Sequence, residues 1–582
     1  MRPAVRLLLC VFIALAVIAG PFPLPGALAQ SNNVKLNHSL AIGADVGTFE
    51  ISPDGSRVVY TASTFGVPEL YSVPIAGGTP VRLTSSITQS GFVPDFAIGP
   101  NSQRVLFRAN ADQFNSFDLY SVPITGGTAV RLNDTLPNNS DVVLYKFSPN
   151  GQRVVYLADG ATNGVNELYS VLATGGTVTR LNTDLPVNGD VGQFEITQDN
   201  VAVIYVADQS FDSQNDIYRV GITGGPVARL SDTAPLGGLI NYTASSFEIS
   251  PDGQRIVFYA GDGTGSLVEL YSMSSTGGPT IRLNPNLPQG GRVFNFQITA
   301  NSQRVVYRAQ QNTDEVFELF SVPIGGGTST QLNGALVTDG DVRTFEINSS
   351  GTHVVYDADQ DVDFRLELFS VSVLGGQVTK LNGPVAPNGG IGTYRLTPDG
   401  NRVIYTTDQG AFTNDRVYSV PITGGTVTWL NNPPVPDRDS FRPLPSPNSS
   451  IVVFQVAAED LYRVPTVGGS APVQVSGPRI PAGFIESDFA FSPDGTRLVY
   501  RGDLETDSVV ELFSVAIDGA VSLAQFDVNG DGIISPADAN FIITRIGQTV
   551  NAGNRAADVD GNGSINNIDA NLVIQRIGQR VN

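Results

Sequence analysis

One segment recurs along most of this chain, and it constrains the fold more than any other feature. Its first copy, residues 49–84, reads FEISPDGSRVVYTASTFGVPELYSVPIAGGTPVRLT. The copies align on an aromatic residue, and most successive copies lie 49 residues apart. These aromatic residues are Tyr60, Phe107, Tyr156, Tyr205, Phe258, Tyr307, Tyr356, Tyr405, Phe454 and Tyr500. A fixed period of this length indicates supersecondary units that bury their faces only against neighbouring copies.

Within one copy, the alternation of apolar residues predicts four short strands separated by turns. In the first copy the strands are residues 49–52, 57–61, 69–75 and 80–83. Pro53, Asp54 and Gly55 make the first turn, and the glycine pair Gly77-Gly78 makes a tight hairpin between the last two strands. Four antiparallel strands that are apolar on both faces are typical of a β-propeller blade packed between two neighbours.

The first turn varies between copies at the position of Gly55. The fourth copy has Asn200 there, and asparagine adopts the left-handed backbone conformation more readily than most residues. The second, sixth and ninth copies carry Ser102, Ser302 and Ser449, which predicts looser turns. The ninth copy, FRPLPSPNSSIVVF, is the most divergent, because two prolines interrupt its first strand.

The residues Val34–Asn37 match the fourth strand of a unit but have no first three strands before them. They could seal a ring as the outer strand of the last copy, Phe489–Leu523, with Ala520–Leu523 doubling or displacing them. Ten units would then form one wide ring. Propellers usually have about 4–8 blades, so two smaller rings are the alternative. A single ring is favoured because no linker or change of composition separates the copies.

The first 29 residues have the features of a secretory signal. Arg2 and Arg6 precede an apolar stretch, and residues 27–29 offer a small-x-small cleavage site. The apolar stretch is too short to span a bilayer, so we expect a secreted protein, extracellular or associated with the cell surface, without membrane insertion. The only cysteine, Cys10, lies in this segment, which excludes disulfides and thiol chemistry from the mature chain.

The formal net charge is −21, which disfavours nucleic acid and anionic membranes as partners. Many acidic residues fall in the long loops, which share the propeller face opposite to the short turns. These residues are Asp45, Asp141, Asp190 and Asp341; Asp159, Asp208, Asp262, Asp359, Asp408 and Asp503; and Glu69, Glu167, Glu269, Glu318, Glu367 and Glu511. They could hold cations or a polar ligand. The favoured interpretation is a solvated rim where Asp caps turns and Glu pairs with Arg.

From Phe526 the pattern changes to helical spacing, and one loop motif appears twice, 31 residues apart. Each loop has oxygen-bearing side chains at positions 1, 3, 5 and 12 and glycine at position 6, the spacing of an EF-hand-type calcium loop. The predicted ligands are Asp527, Asn529, Asp531, Ile533 and Asp538 in the first loop, and Asp558, Asp560, Asn562, Ser564 and Asp569 in the second, with Ile533 and Ser564 contributing backbone carbonyls. Two calcium ions are therefore expected.

The remaining residues of this region predict a compact pair of loop–helix units. Ile534 and Ile565, at position 8 of the two loops, are expected to pack together. One helix should follow each loop, over 537–546 and 568–577, each ended by a glycine. With fewer than 60 residues such a module has a small core, so bound metal should contribute much of its stability.

Two resemblances follow from these motifs. The SPDG turn and the second strand that ends in an aromatic residue resemble the TolB-like propeller repeat, over about Val34–Leu523. The paired calcium loops, each with Asp at position 12 and one helix, resemble a type I dockerin, over Phe526–Asn582. Together they imply an all-β propeller of about ten four-stranded repeats and a small α-helical EF-hand-like module. The dockerin resemblance implies calcium-dependent folding and docking to a cohesin-like domain, whose identity the sequence leaves open.

The motifs favour binding over catalysis. The only histidines, His38 and His353, lie in different units, and there is no G-x-S-x-G motif of a hydrolase. The leading hypothesis is a secreted, calcium-binding propeller that acts as a binding or scaffold module for a protein or polysaccharide and is tethered through its dockerin. The alternative is a dockerin-borne polysaccharide hydrolase or lyase with its site on the acidic face. A third possibility is a structural component of a surface layer.

Overall fold

We describe the fold from a computed structural model. The residues that the structure describes are 33–64, 66–87, 92–110, 116–137, 139–160, 162–211, 214–231, 247–261, 267–386, 389–408, 415–432, 439–517, 528, 534–546, 548, 557, 565 and 573. The predicted signal segment lies outside them. No helix in this described portion is long and apolar enough to cross a membrane.

The chain forms ten four-stranded antiparallel sheets, which we number as blades 1 to 10 in chain order. Blade 1 contains β2 (Val46–Ile51), β3 (Arg57–Thr64), β4 (Val67–Pro74) and β5 (Val81–Arg82); blade 2 contains β6 (Phe96–Ile98), β7 (Arg104–Ala109), β8 (Asp118–Pro123) and β9 (Val130–Arg131); blade 3 contains β10 (Val142–Phe147), β11 (Arg153–Ala158), β12 (Glu167–Leu172) and β13 (Thr179–Arg180). Blade 4 contains β14 (Val191–Ile196), β15 (Ala202–Phe211), β16 (Gln214–Gly221) and β17 (Ala228–Arg229); blade 5 contains β18 (Phe247–Ile249), β19 (Arg255–Gly261), β20 (Val268–Ser274) and β21 (Ile281–Arg282); blade 6 contains β22 (Val293–Ile298), β23 (Arg304–Ala309), β24 (Glu318–Pro323) and β25 (Thr330–Gln331).

The last four blades repeat this order, except that the final one borrows its outer strand. Blade 7 contains β26 (Val342–Ile347), β27 (His353–Ala358), β28 (Glu367–Ser372) and β29 (Thr379–Lys380); blade 8 contains β30 (Ile391–Leu396), β31 (Arg402–Thr407), β32 (Arg416–Pro421) and β33 (Thr428–Trp429); blade 9 contains β34 (Ser440–Pro445), β35 (Ile451–Val456), β36 (Asp460–Pro465) and β37 (Val473–Gln474). Blade 10 contains β38 (Ile485–Phe491), β39 (Arg497–Gly502), β40 (Glu511–Ala516) and β1 (Val34–Lys35).

The chain ends of the propeller meet in blade 10. Strand β1 pairs antiparallel with β40, with Val34 opposite Ser514. The Leu36 amide donates to the Leu512 carbonyl at 2.8 Å, and the Asn37 side chain accepts from the Leu512 amide at 2.8 Å. The prediction that Val34–Asn37 completes the last copy is therefore confirmed, while Ala520–Leu523 lie outside the described residues.

Successive blades are joined by ten apolar clusters, each built from two neighbouring blades. One of them joins blade 10 to blade 1, where Val499 and Leu512 pack with Val46 and Tyr60. Because ten clusters connect ten blades, the circuit is closed. The architecture is a single ten-bladed ring, and the two-ring alternative is excluded.

The aromatic residue that marks each repeat stacks on an aromatic residue of the third strand. This pair occurs in all ten blades, with ring centroids 5.3–6.1 Å apart and interplanar angles of 17–29°. Tyr60 on Tyr71 and Tyr500 on Phe513 are examples from blades 1 and 10. Aromatic pairs of this kind add about 0.5–1.5 kcal/mol beyond the area they bury.

The first strand of each blade lies at the inner edge of the ring. It pairs with the second strand on one side only, and it approaches the first strands of neighbouring blades. Glu50 accepts a hydrogen bond from the Ile98 amide at 3.3 Å, and Gln297 accepts one from the Ile347 amide at 3.2 Å. Polar side chains of these strands thus cover exposed backbone groups of the next blade.

The prediction of looser turns at the three serine positions is wrong. Ser102, Ser302 and Ser449 adopt left-handed φ values of 58°, 59° and 61°, and Asn200 adopts 62° as expected. Each serine amide closes the turn at 2.8 Å, close to the 2.7 Å at Gly55. The hydroxyl groups accept hydrogen bonds at 3.0 Å from backbone amides of the preceding blades, at Asp54, Asp252 and Asp399. An interblade bond therefore offsets the backbone strain of a non-glycine residue.

The C-terminal region contains one described helix, α1 (Pro536–Ile543), which begins one residue before and ends three residues before the predicted span. Ser535 caps it through a capping box with Asp538. Ile534 and Ile565 are buried in one cluster, so the predicted packing of these two residues is confirmed. The second predicted helix lies outside the described residues except for Val573, which is helical and buried.

Candidate functional site

The aspartates that precede the first strands bind backbone amides of the neighbouring blade. Asp141, Asp190 and Asp341 each accept a hydrogen bond at 2.7 Å, from the amides of Phe117, Asn166 and Phe317. Asp45 makes the same contact across the ring closure, with the Val510 amide at 2.8 Å. These carboxylates hold the long loop of one blade to the start of the next.

The aspartates at the start of the long loops also cap backbone groups. Asp159, Asp208 and Asp359 accept hydrogen bonds from the amides of Asp141, Asp190 and Asp341. Their counterpart in blade 10, Asp503, accepts from the Ser508 amide within its own loop at 2.9 Å. Asp262 lies outside the described residues.

The glutamates that end the long loops are largely buried and paired with cations of the fourth strand. Ion pairs join Glu69 to Arg82, Glu167 to Arg180, Glu269 to Arg282, Glu367 to Lys380 and Glu511 to Lys35. In blade 6 the partner is neutral, and Gln331 donates to Glu318 at 2.8 Å. The interpretation that aspartates cap turns and glutamates pair with basic residues is confirmed for these residues, except that Glu318 pairs with a neutral amide.

Burial and neighbouring carboxylates raise the pKa of two aspartates of the rim. Burial raises the pKa of Asp190 and of Asp341, and the neighbouring carboxylates of Asp208 and Asp359 raise these pKa values further. Within the described ranges, no cluster of three or more His, Cys, Asp or Glu residues is suited to holding a metal ion. Most of the acidic rim therefore consists of carboxylates that already bind protein groups. Asp408 is an exception, because its buried Oδ1 has no hydrogen-bond partner among the described residues.

The two histidines occupy separate environments. His38 lies against Tyr71 with ring centroids 4.6 Å apart, and burial lowers its pKa. His353 is the first residue of β27, and its Nδ1 lies 3.1 Å from the Thr352 hydroxyl. The structure thus places His38 against blade 1 and His353 in blade 7, and it brings them to no common site.

The inner strands contain two cavities that sequence reasoning missed. A cavity of about 220 Å³ is lined by Glu195 and Glu248 of blades 4 and 5, where burial raises the pKa of Glu248 to about 7 with a contribution from Glu195. A larger cavity, which we call the arginine cavity, has a volume of about 330 Å³. Its lining residues are Thr393, Arg395, Arg442, Pro443, Leu444, Ser487 and Phe489. The two prolines in the ninth copy were the only sequence signal near it.

Of the ten predicted calcium ligands, the structure describes Asp538. Its side chain is completely buried, and one carboxylate oxygen accepts from the amide of Ser535 at 2.8 Å and from its hydroxyl at 3.0 Å. The other nine lie outside the described residues: Asp527, Asn529, Asp531, Ile533, Asp558, Asp560, Asn562, Ser564 and Asp569. A buried carboxylate at the start of a helix fits the last position of a calcium loop, because burial of a charge requires hydrogen bonds or a cation.

Residues 525–578 match the dockerin type I domain. A TolB structure from Agrobacterium tumefaciens is 23% identical over 41% of this chain and 79% of its own, with a TM-score of 0.27. A prolyl endopeptidase structure is 13% identical over 62% of this chain and 54% of its own, with a TM-score of 0.35. No curated protein matches the chain. The chain is therefore a ten-bladed β-propeller whose C-terminal residues match the dockerin type I domain.

Proposed function

We propose that this protein is a secreted binding or scaffold module, whose propeller presents a ligand-binding surface and whose dockerin segment attaches it, with two bound calcium ions, to a cohesin-like partner. The observation that carries the proposal is the match of residues 525–578 to the dockerin type I domain, because dockerins assemble proteins through cohesins. The partner and any propeller ligand would meet outside the cell or at its surface.

The local packing of the module supports the calcium-dependent part of the proposal. Asp538 sits at the N-terminus of α1, and the adjacent Ile534 packs against Ile565 of the second loop. A calcium ion in each loop would gather its carboxylates and hold both loops against this cluster. The chain itself supplies the oxygen ligands and the apolar contact. The positive charge of the ion would offset the repulsion between the loop carboxylates.

The contacts on the rim support binding rather than catalysis. General acid–base chemistry on a polysaccharide needs two carboxylates that face the substrate. On this propeller the carboxylates of Asp141, Asp190 and Asp341 are engaged by backbone amides, and the glutamates are engaged by basic side chains. Releasing these aspartates for catalysis would break contacts between blades, and releasing the glutamates would break ion pairs within a blade.

The proposed attachment through the dockerin is tested by measuring binding of the mature chain to a panel of cohesin domains, in calcium and in excess EDTA. We expect one or more cohesins to bind in calcium, and binding to be lost in EDTA and in the double variant Asp527→Ala/Asp558→Ala. Asp184→Ala is the matched control, because the Asp184 side chain is fully exposed on the propeller. Binding that persists in EDTA, or the absence of binding to any cohesin, contradicts the proposal.

The enzymatic alternative is tested on the same preparation. The mature chain is incubated with a set of neutral and acidic polysaccharides, and release of reducing or unsaturated sugar ends is measured. Under the proposal, no release above a heat-denatured control is expected. Release that disappears in a single Asp→Asn variant of the rim, with the ring still folded, favours the hydrolase or lyase alternative instead.

A further inference from the structure

The arginine cavity lies where the regular pattern of the ring is broken. It is bordered by the inner strands β30, β34 and β38 of three successive blades. Arg395 comes from blade 8, Arg442 from blade 9 and Phe489 from blade 10. The site therefore exists only in the assembled ring.

The cavity exists because blade 9 lacks a large side chain that the other blades have. In the other nine, an aromatic residue of the first strand occupies the position of Pro443; these are Phe49, Phe96, Tyr145, Phe194, Phe247, Phe296, Phe345, Tyr394 and Phe489. Proline at this position leaves open the space that a ring would fill. Phe489 of the next blade then lines that space.

The backbone of blade 9 is also distorted at this point. Most blades have a register shift in their first strand, for example between Val142 and Leu144 in blade 3. In blade 9 the shift lies further along, between Phe441 and Leu444, so that Arg442 and Pro443 lie opposite one residue. Arg442 adopts φ of +55°, a left-handed conformation that is unfavourable for residues with a Cβ. Backbone strain of this kind is concentrated at ligand sites, where it fixes a side chain that the regular strand would direct elsewhere.

The two arginines of the cavity are exposed and poorly compensated. Among the described residues, neither guanidinium takes part in an ion pair or a hydrogen bond, although Glu346 lies within electrostatic range of Arg395. Elsewhere on the inner strands the basic side chains are paired, as Lys146 is with Glu195 at 2.6 Å. In a chain with net charge −21, two guanidinium groups in one cavity that have no ion-pair partner among the described residues favour an anionic ligand.

We propose that the arginine cavity binds a hydroxylated organic carboxylate of about the size of one sugar acid. Arg395 and Arg442 would bind the carboxylate, since guanidinium groups match its geometry. Thr393 and Ser487 would bind hydroxyl groups, and Phe489 would pack against the apolar face of the ring. A volume of about 330 Å³ suits a small ligand. This site rests on the proposed function, in which the propeller presents a binding surface.

The test is calorimetric titration of the full mature chain with glucuronate and galacturonate. Glucose and galactose are the neutral counterparts, and inorganic phosphate is the anion without a sugar ring. We expect the uronates to bind at least about tenfold more tightly than the neutral sugars, because a charge-assisted pair contributes roughly tenfold or more in affinity. The uronates should also bind more tightly than phosphate, which has the charge but no ring to pack against Phe489. Equal binding of uronates and neutral sugars, or preferential binding of phosphate, would overturn the proposal.

Variants locate the site. Arg442→Gln and Arg395→Gln should each weaken uronate binding about tenfold or more, and Pro443→Phe should abolish it by filling the cavity with the side chain found in most other blades. Arg292→Gln is the matched control, since Arg292 is exposed on blade 6 and stacks 4.9 Å from the Phe294 ring. Uronate binding that survives Pro443→Phe unchanged overturns the proposal, provided that the thermal midpoint of the ring is retained.

The experiments distinguish a failure of the proposed carboxylate site from a failure of the proposed attachment to a cohesin. If a cohesin binds the same sample and uronates do not, the arginine cavity is not a carboxylate site and the attachment role stands. If uronates bind with the expected variant pattern while no cohesin binds, the cavity is confirmed and the attachment role fails.

Discussion

The ring and the C-terminal module are stabilised in different ways. The ring is held by ten apolar clusters that connect each blade to the next, including the closure of blade 10 on blade 1. The described part of the module has one small cluster; its buried residues are Ile534, Ala539, Ile542, Ala557, Ile565 and Val573. Small modules of this kind rely on a metal or another cross-link. Because their stability has different sources, the ring and the module should respond separately to metal removal, core mutation and pH.

The largest expected effect is the loss of calcium, which separates the two regions most clearly. Chelation with EDTA should unfold the module, because its loop carboxylates then repel one another without a cation, and should leave the ring folded. The helical circular dichroism signal of the module would disappear, while the near-ultraviolet signal of the stacked tyrosines would persist. A chain ending at residue 517 is the control and should not respond to EDTA. If the module keeps its helical signal without divalent ions, its fold does not depend on calcium and this prediction is wrong.

The second effect concerns the closure of the ring. Leu36→Ala should lower the free energy of unfolding by about 2–5 kcal/mol, because Leu36 is completely buried where the two chain ends meet. Leu332→Ala is the control. It removes an equivalent buried side chain from blade 6, whose four strands are consecutive in the chain. We expect Leu36→Ala to destabilise the ring at least as much as Leu332→Ala in denaturant titrations. A negligible effect of Leu36→Ala would mean that closure contributes little to stability.

The third effect is the pH dependence of the ring at Glu248. Burial, with a contribution from Glu195, raises the pKa of Glu248 to about 7, above the ordinary value of 4.5. Between these values the folded protein retains a proton that the unfolded chain has lost, so stability falls as pH rises from 4.5 to about 7. Glu248→Gln should therefore stabilise the ring above this range, by up to about 3 kcal/mol before solvent screening.

Asp252→Asn is the control for Glu248→Gln, because the pKa of Asp252 is lowered in the folded protein whereas that of Glu248 is raised. The Ser250 hydroxyl and the Gln254 amide lower the pKa of Asp252, so its contribution is present above pH 3.8 and is lost as pH falls through the lowered value. Asp252→Asn should therefore lower the thermal midpoint at neutral pH and have no effect in strong acid. If Glu248→Gln lowers the midpoint at pH 8, the assignment of an unfavourable charge at Glu248 is wrong.

The smallest effect tests the short turns. Ser302→Ala removes the hydroxyl that accepts from the Asp252 amide and keeps a Cβ in the left-handed conformation, so it should cost about 1 kcal/mol. Ser302→Gly removes the same hydrogen bond but relieves the backbone strain, so its cost should be smaller. Urea denaturation of the two variants measures the difference. A glycine variant less stable than the alanine variant would show that strain is not the opposing factor.

Local patterns in the sequence were enough for the blade. The alternation of apolar residues, the turn residues and the Glu and Arg positions act within about 35 residues, so one copy contains its own strand order and its own ion pair, such as Glu269 with Arg282. Val34–Asn37 could be assigned to the ring closure because the segment is a fourth strand without partners. The first helix of the C-terminal module could be placed after its loop, because apolar residues at helical spacing depend only on neighbouring positions.

Contacts between blades could not be predicted in this way. The serine turns are stabilised by amides about 50 residues away, which no pattern within one copy reveals. The arginine cavity combines residues of three blades. Its volume depends on the absence, at Pro443, of the aromatic side chain that the other blades have at this position. The sequence by itself determined the blade, its repetition and the C-terminal loop motif, because these depend on neighbouring residues. The tertiary structure decided that the ring is single and where it opens into a cavity, because both depend on how ten separate sheets pack in space.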